Sequence, residues 1–176
     1  MIGQPTLLCL NMRREQFANV RTKSFGGVAE TMEAARAGGW RVLHAHTRRA
    51  PSPALGQGTL PGFEPRANEA VIALPGADVF SDAYLMEAGR SHRPDCLHLI
   101  GAMFSRCGLA SILAAQEARL PVNIIGDACV TPDFEPIAAE QVLRLAAADA
   151  ATRVVSHCPS VVSGGENVIC LESWRT

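Results

Sequence analysis

The sequence predicts a three-layer α/β/α domain built on a mostly parallel sheet of six strands. Short, continuous apolar runs alternate with helical patterns along most of the chain, which is typical of parallel sheets covered by helices. The first of these runs is apolar without interruption, as in a strand that is buried on both faces. Its 176 residues suffice for one domain with its own core, so we predict a single domain over residues 1–176.

The first half of the chain contains three predicted strands and one predicted helix. The helix covers Val28–Ala37, and Gly38 and Gly39 end it. Residues 50–68 are rich in Pro and Gly, so we expect an irregular segment at the surface. The predicted strands are the apolar runs Thr6–Asn11, Arg41–His46 and Ala70–Leu74.

The second half continues the same alternation. One helical pattern covers Val79–Arg90, with Asp78 as its predicted N-cap, and another covers Cys107–Arg119. A third runs from Pro136 to about Ala151, with the proline in its first turn, where a missing N–H costs nothing. Further strands are predicted at Cys96–Ala102, Val122–Ala128, Arg153–His157 and Val168–Ser173.

Composition excludes several classes of function. Sixteen basic and seventeen acidic residues give a net charge of −1, which offers no electrostatic footprint for nucleic acid or for an anionic membrane. The sequence has neither a leader pattern nor an apolar run long enough to span a bilayer, so we expect a cytoplasmic protein. Its six cysteines form no C-x-x-C pair, so we expect free thiols rather than a zinc ribbon or a redox pair.

Cys107 stands out among the six cysteines because it lies where a predicted strand turns into a helix. Ligands of such sheets bind beyond the carboxyl ends of the strands. Unpaired N–H groups and the helix dipole favour the thiolate at the first turn of a helix, and the same N–H groups can accept an oxyanion. A second interpretation is a buried, inert cysteine, which is the more common fate of a single cysteine in such a chain.

The run GAMFSRCGLASILAAQEARLPVNIIGDA, from Gly101 to Ala128, resembles the core of the isochorismatase-like cysteine hydrolases. In that family a strand ends in Gly and a small residue, a cysteine opens the next helix, and the following strand ends in Asp-Ala. The similarity extends to LLCLNM and EAVIALPGADVF, and it covers roughly residues 6–135. It implies a Rossmann-like fold and hydrolysis of small amides or related substrates by an Asp–Lys–Cys triad.

Carried over position by position, the resemblance makes Cys107 the nucleophile. The triad aspartate falls on Asn11 and the triad lysine falls on Leu74. The family's cis peptide falls on Ala102–Met103, and the N–H groups of Met103 and Cys107 correspond to its oxyanion hole. Two of the three triad positions are therefore replaced, and an amide such as that of Asn11 cannot act as a general base near neutral pH.

No shift of the alignment restores the triad, because the first aspartate of the chain is Asp78 and its only lysine is Lys23. His44 and His46 alternate on the second predicted strand, with His46 beside Asn11 at the carboxyl end, so a histidine base for Cys107 is one replacement. The other interpretation is an ordinary hydrogen-bonded histidine at a strand end. Glu15 is a further carboxylate near the first strand, in a stretch typical of a solvated loop.

Side chains around Cys107 are candidates for a small-molecule pocket. Some family members bind a metal through one Asp and two His in this region, but the aspartate is missing here, so we expect no metal and no other cofactor. Several arginines flank the predicted carboxyl edge, where an arginine could clamp a carboxylate or help hold a thiolate, while most are expected to be ordinary surface charges. The six considered are Arg13, Arg14, Arg48, Arg49, Arg66 and Arg106. The predicted pocket residues are His46, Phe80, Phe104 and Arg106.

Two functions follow from this sequence. The first is an isochorismatase-family hydrolase that acts on a small amide or a related substrate through Cys107, with an altered triad. The alternative is a catalytically inactive small-molecule-binding or thiol-sensing protein that retains the fold. In both we expect a small-molecule partner, no nucleic acid and no membrane, and the resemblance implies a homo-oligomer.

Overall fold

A computed structural model describes residues 5–17, 25–47, 58–91, 97–102, 106–130, 144 and 152–155. Its strands form one sheet in the order β3-β2-β1-β4-β5-β6, and each neighbouring pair is parallel. This confirms the predicted α/β class and the six-stranded parallel sheet. The strands are β1 (Thr6–Leu10), β2 (Arg41–Thr47), β3 (Ala70–Leu74), β4 (Leu97–Gly101), β5 (Val122–Cys129) and β6 (Thr152–Val155).

Helices cover both faces of the sheet. On one face lies α1 (Gly26–Ala37), and on the other lie α2 (Ala83–Ser91) and α3 (Arg106–Glu117). Short 3-10 turns are formed by Arg14–Gln16 and Val79–Ser81. Among the helices of the described ranges, none has the length and apolar character that a membrane crossing requires.

The sheet separates two apolar clusters. Alternate residues of β1 contribute to opposite clusters, so Leu8 and Leu10 pack towards α2 and α3 while Leu7 and Cys9 pack towards α1. All five residues of β1 are buried, which agrees with the continuous apolar run in the sequence. By contrast, β3 lies at the edge of the sheet, and Val71 is half exposed there.

One predicted helix is shorter than its apolar pattern. The residues after β3 form a 3-10 turn, and α2 begins only at Ala83, because the Asp82 carboxylate accepts hydrogen bonds from the N–H groups of Tyr84 and Leu85. The prediction that Asp78 caps this helix is therefore wrong: Asp78 caps the 3-10 turn, accepting from the N–H of Phe80 at 2.8 Å.

Predictions for the last third of the chain are tested only in part. The fifth strand extends to Cys129, one residue beyond its predicted end, and the predicted strand Arg153–His157 corresponds to β6. In the predicted helix from Pro136 to Ala151 the described residue is Arg144, which is helical. The predicted strand Val168–Ser173 lies outside the described residues.

The two central strands meet closely at their carboxyl ends. Leu10 of β1 is the register partner of Gly101 of β4, and the N–H of Ala102 donates to the carbonyl oxygen of Leu10 at 2.9 Å. Gly101 has φ +96°, and a Cβ there would lie 2.4 Å from that carbonyl oxygen. Only glycine fits this approach. The strand order reverses between β1 and β4, which is where parallel sheets of this kind bind ligands.

Candidate functional site

Asn11 follows the last residue of β1 and joins the ends of two strands. It is buried, and its N–H donates to the carbonyl oxygen of Ala45 at 2.8 Å. Its side-chain Oδ1 accepts from the N–H of Thr47 at 2.8 Å and from the Thr47 hydroxyl at 3.3 Å. The backbone has φ +52°, which asparagine tolerates better than most residues. The Asn11 oxygen is therefore committed to holding β2 beside β1.

Leu74 ends β3 on the same edge of the sheet. It is the register partner of Thr47, so Leu74, Thr47 and Asn11 follow one another across the carboxyl ends of β3, β2 and β1. Leu74 is 0% exposed and belongs to the apolar cluster that packs against α2 and α3, together with Phe80. An apolar side chain thus lies at the position that the sequence resemblance aligns with the family's lysine.

Cys107 is the second residue of α3, and Arg106 is the first. The helix begins five residues after β4 ends, at the reversal of strand order. The side chains of Arg106 and Cys107 lie outside the described part of the chain, as do Met103, Phe104 and the cis-peptide prediction for Ala102–Met103. The Ser111 hydroxyl accepts from the N–H of Val79 at 3.1 Å, which fixes α3 against the turn that follows β3.

Glu15 is not the solvated side chain that its surroundings in the sequence suggest. Its side chain is 10% exposed, and Oε1 forms an ion pair with Nε of Arg13. Its second oxygen, Oε2, is buried and has no hydrogen-bond partner in the described part of the chain. Buried carboxylate oxygens are nearly always hydrogen-bonded, and Glu15 follows β1 at the carboxyl edge of the sheet, so this oxygen is a candidate for a functional role. Backbone hydrogen bonds from Arg14 to Gly58 and from Leu60 to Met12 hold the loop in place.

His44 takes part in a buried ionic cluster on the α1 face of the sheet. Its Nε2 lies 2.8 Å from Oε2 of Glu69, and Arg36 donates through Nε and Nη2 to the two oxygens of the same carboxylate. Burial lowers the pKa of His44 below its usual value of 6.5, although the bond to Glu69 opposes this change. His44 is therefore neutral at physiological pH and donates from Nε2.

Glu69 remains charged over the whole physiological range. Burial alone would raise its pKa, but hydrogen bonds from Arg36, from the backbone N–H of Arg66 and from His44 together lower it to about 2. This cluster does not fit a metal site, because the Nε2 of His44 faces a carboxylate that already binds a guanidinium. In the described ranges, no three side chains of the metal-binding types converge. The absence of a bound metal stays a prediction.

Two cysteines in the described part are structural. Cys9 lies in β1 against Met32, and burial raises its pKa to about 12, while Arg36 and Glu69 nearby act in opposite directions. Burial also raises the pKa of Cys129, assisted by the charge of Asp127. Neither thiol ionises near neutral pH, so neither is a candidate nucleophile.

The remaining predicted site residues are placed as follows. His46 is half-buried near the end of β2, opposite Ala73 of β3, and on the same face of the sheet as His44. Phe80 is 2% exposed. Arg66 precedes β3 and therefore lies at the amino edge of the sheet, so it is not among the arginines that flank the carboxyl edge. Arg48 and Arg49 lie outside the described residues.

Sequence reasoning missed two features of this region. Thr47 bonds to Asn11 and pairs with β3, so it connects the two. The sequence indicates this role of Thr47 only by its position at the end of the second apolar run. The pairing of Glu69 with His44 and Arg36 bridges 25 and 33 residues of chain and leaves no local pattern.

Known proteins resemble this chain both in sequence family and in fold. The model of the isochorismatase domain matches residues 7–157. No curated protein sequence matches the chain. Among solved structures, an isochorismatase family protein from Desulfovibrio vulgaris subsp. vulgaris str. Hildenborough is similar, with a TM-score of 0.70 and 20% identity, over 86% of this chain and 93% of that one.

Two named enzymes are also similar in fold. N-carbamoylsarcosine amidase from Thermoplasma acidophilum has a TM-score of 0.66 and 16% identity, over 92% of this chain and 100% of its own. A nicotinamidase/pyrazinamidase from Bacillus subtilis has a TM-score of 0.64 and 16% identity, over 87% of this chain and 100% of its own. At these identities the likeness extends to the fold alone.

Proposed function

This chain belongs to the isochorismatase family, and from that premise we propose that it hydrolyses a small amide or a related small-molecule substrate through Cys107. One observation carries the proposal: Cys107 lies in the first turn of α3, directly beyond the point where the strand order reverses. There the backbone N–H groups at the start of a 12-residue helix favour the thiolate.

The proposed reaction has two stages. The Cys107 thiolate attacks the carbonyl carbon of the amide, and the C–N bond breaks as the nitrogen takes a proton and leaves as ammonia or an amine. Water then attacks the resulting thioester, which releases the carboxylic acid and regenerates the thiol. N–H groups at Met103 and Cys107 receive the negative oxygen in both stages, as the family resemblance implies.

The Cys107 thiol needs a general base, and the amide of Asn11 cannot accept its proton. We assign this role to Glu15, the first acidic residue of the chain, in the loop that follows β1. Its buried Oε2, which has no hydrogen-bond partner among the described residues, supports this assignment, since such an oxygen is available to a thiol or a water molecule. Asn11 then keeps the strand ends in register through Thr47, and Leu74 provides an apolar wall.

Acylation by a small p-nitrophenyl ester tests the nucleophile without knowledge of the natural substrate. We expect the wild-type protein to release more than one equivalent of p-nitrophenolate per chain. The rate of release should be lower by about 100-fold or more in Cys107→Ala. Cys129→Ser is the matched control and should keep the wild-type rate, because that thiol is buried and protonated. A Cys107→Ala protein as fast as wild type contradicts the proposal.

Thiol labelling gives a second, independent readout. We expect Cys107 to react with iodoacetamide faster than the other five cysteines near neutral pH, as measured by mass-spectrometric mapping. Glu15→Gln should shift the pH dependence of this labelling, while Glu117→Gln, on an exposed position of α3, should not. If Cys107 is among the slowest cysteines to label, it is a structural residue and the nucleophile assignment fails.

The alternative is a thiol-sensing or binding protein that retains the fold. The hydrogen bonds of Asn11 to Thr47 and the burial of Leu74 favour it. Neither side chain supplies a charge to a catalytic thiolate. Release of one equivalent of p-nitrophenolate, with a stable acyl group on Cys107 and no turnover, would identify this alternative. We also expect poor turnover of nicotinamide, because the family's Asp and Lys are replaced.

A further inference from the structure

We propose a second ligand site, specific for a small oxyanion such as a phosphate or a carboxylate, at the amino edge of β2 and β3. The site is a cavity of about 360 Å³ between the end of α1, the start of β2 and the segment that leads into β3. The residues of the cavity that carry the argument are Arg36, Trp40, Arg41, Arg66, Asn68 and Glu69. It lies at the opposite edge of the sheet from Cys107, so it does not depend on the function proposed for that cysteine.

The inner wall of the cavity is a buried ion pair whose hydrogen bonds are already used. Arg36 donates to both oxygens of Glu69 and, through Nη1, to Glu33 at 2.8 Å. Glu69 Oε2 also accepts from His44 and from the N–H of Arg66. The side chains of Arg36 and Glu69 are 7% and 4% exposed, so this wall is rigid. Among the described residues, Glu69 is the one carboxylate that lines the cavity, and these bonds make it unavailable to a cationic ligand.

The outer wall, by contrast, has donors that the protein does not use. The side chain of Arg66 is half exposed and uses Nη2 alone, with Glu33 as its partner, which leaves Nε and Nη1 without an acceptor in the described part of the chain. In the same ranges the side-chain amide of Asn68 has no hydrogen bond, and the guanidinium of Arg41 contacts only the ring of Tyr84, at 5.1 Å. Guanidinium groups pair with carboxylates and phosphates in bidentate geometry.

Charge favours an anion as well. Three guanidinium groups and one carboxylate line the cavity, and adding Glu33 still leaves one positive charge in excess. His44 behind the wall is neutral and does not change this balance. Trp40 also lines the cavity, with its ring packed against His98 at a centroid distance of 4.7 Å, so its fluorescence can report on binding.

Binding can be measured through Trp40 in a Trp174→Phe protein, where Trp40 is the remaining tryptophan. We expect inorganic phosphate and benzoate, titrated separately at constant ionic strength with sodium chloride, to change the Trp40 emission with a saturating curve. Each should also raise the Tm in proportion to the logarithm of its concentration above Kd. A preference for one probe distinguishes a phosphate site from a carboxylate site.

Variants locate the site. Arg66→Gln and Asn68→Ala should each weaken binding, Arg66→Gln by about tenfold or more, because a charge-assisted hydrogen bond is lost. Arg119→Gln removes the same charge from an exposed position at the end of α3 and should leave the Kd within about twofold. Equal weakening by Arg66→Gln and Arg119→Gln, or a chloride titration with the same saturating response, would overturn the proposal.

Discussion

Gly101 fixes the distance between the two central strands at the candidate site. Because a Cβ would meet backbone atoms of Leu10 and φ is +96°, no rotation of a flexible side chain can relieve a substitution. We expect Gly101→Ala to lower the free energy of unfolding by about 2–5 kcal/mol, from left-handed strain and overpacking together. Gly76→Ala is the matched control, since nothing lies within 4 Å of its Cβ position. Urea denaturation of both variants measures the difference, and equal stabilities would contradict the close approach.

A second prediction at this scale concerns acid and the buried cluster around His44. The folded state disfavours the protonated imidazole, so its contribution to stability is complete above pH 6.5, the pKa of the unfolded chain, and is lost progressively below it. The contribution of Glu69 is complete above about pH 4.5 and is lost as the pH falls towards 2. The two losses therefore follow one another on acidification.

His44→Gln separates these two losses. Glutamine keeps a donor for Glu69 but does not titrate, so the free energy of unfolding should fall less steeply between pH 6.5 and pH 5 than in the wild type. Urea denaturation at intervals of half a pH unit, referred to pH 8, measures the slope. An unchanged slope would mean that His44 does not carry this dependence.

Local patterns in the sequence predicted the strands correctly, but they did not predict the ionic cluster around Glu69. The continuous apolar run of β1 and the isolated AVIAL run predicted their strands because an apolar run and its length are local properties of the sequence. Glu69 carries no comparable signal, since its partners come from β2 and α1. Glu15 was predicted to be solvated because its neighbours are polar, whereas its side chain is largely buried in a segment that pairs with Gly58, Thr59 and Leu60, far away in the sequence.

At the scale of the elements, α2 depends on an N-cap at Asp82, which the apolar pattern of the sequence does not reveal. The pattern continues through residues 79–90, but the carboxylate of Asp82 stops and restarts the backbone hydrogen bonding at Ala83. We expect Asp82→Ala to cost about 1 kcal/mol of stability, because two N–H groups of the first turn lose their acceptor. Asp82→Ser should recover most of this loss in thermal denaturation. If serine and alanine destabilise equally, the cap is not responsible.

At the scale of the whole molecule, the three positions that the sequence resemblance aligns with the family triad lie along one edge of the sheet. Strand spacing places the backbones of β1 and β3 about 10 Å apart, a gap that a lysine side chain at position 74 and a carboxylate at position 11 bridge together. Leu74→Lys alone buries an unpaired ammonium and should destabilise the fold by several kcal/mol. Adding Asn11→Asp supplies its partner.

We therefore expect the double variant Asn11→Asp, Leu74→Lys to raise amide hydrolysis more than either single change, because the charged groups act on Cys107 as a unit. Ammonia release from nicotinamide and N-carbamoylsarcosine provides the measurement. Asn11→Asp combined with Leu74→Met is the control, since methionine conserves volume without adding charge. If the effects of the two changes are only additive or smaller in the double variant, positions 11 and 74 do not act together on Cys107.

The position of β1 in the middle of the sheet has a consequence for biosynthesis. Thr6 pairs with Leu97, a residue 91 positions later, so one side of β1 stays open until that segment has left the ribosome. At about 5–20 residues per second this interval lasts roughly 5–20 s. During that time a strand with five buried residues in the finished protein presents unpaired N–H and carbonyl groups to other nascent chains. Synonymous codons that slow translation between the two strands should therefore increase the insoluble fraction, whereas the same codons placed after Cys129, when β1 and β4 are both available, should not.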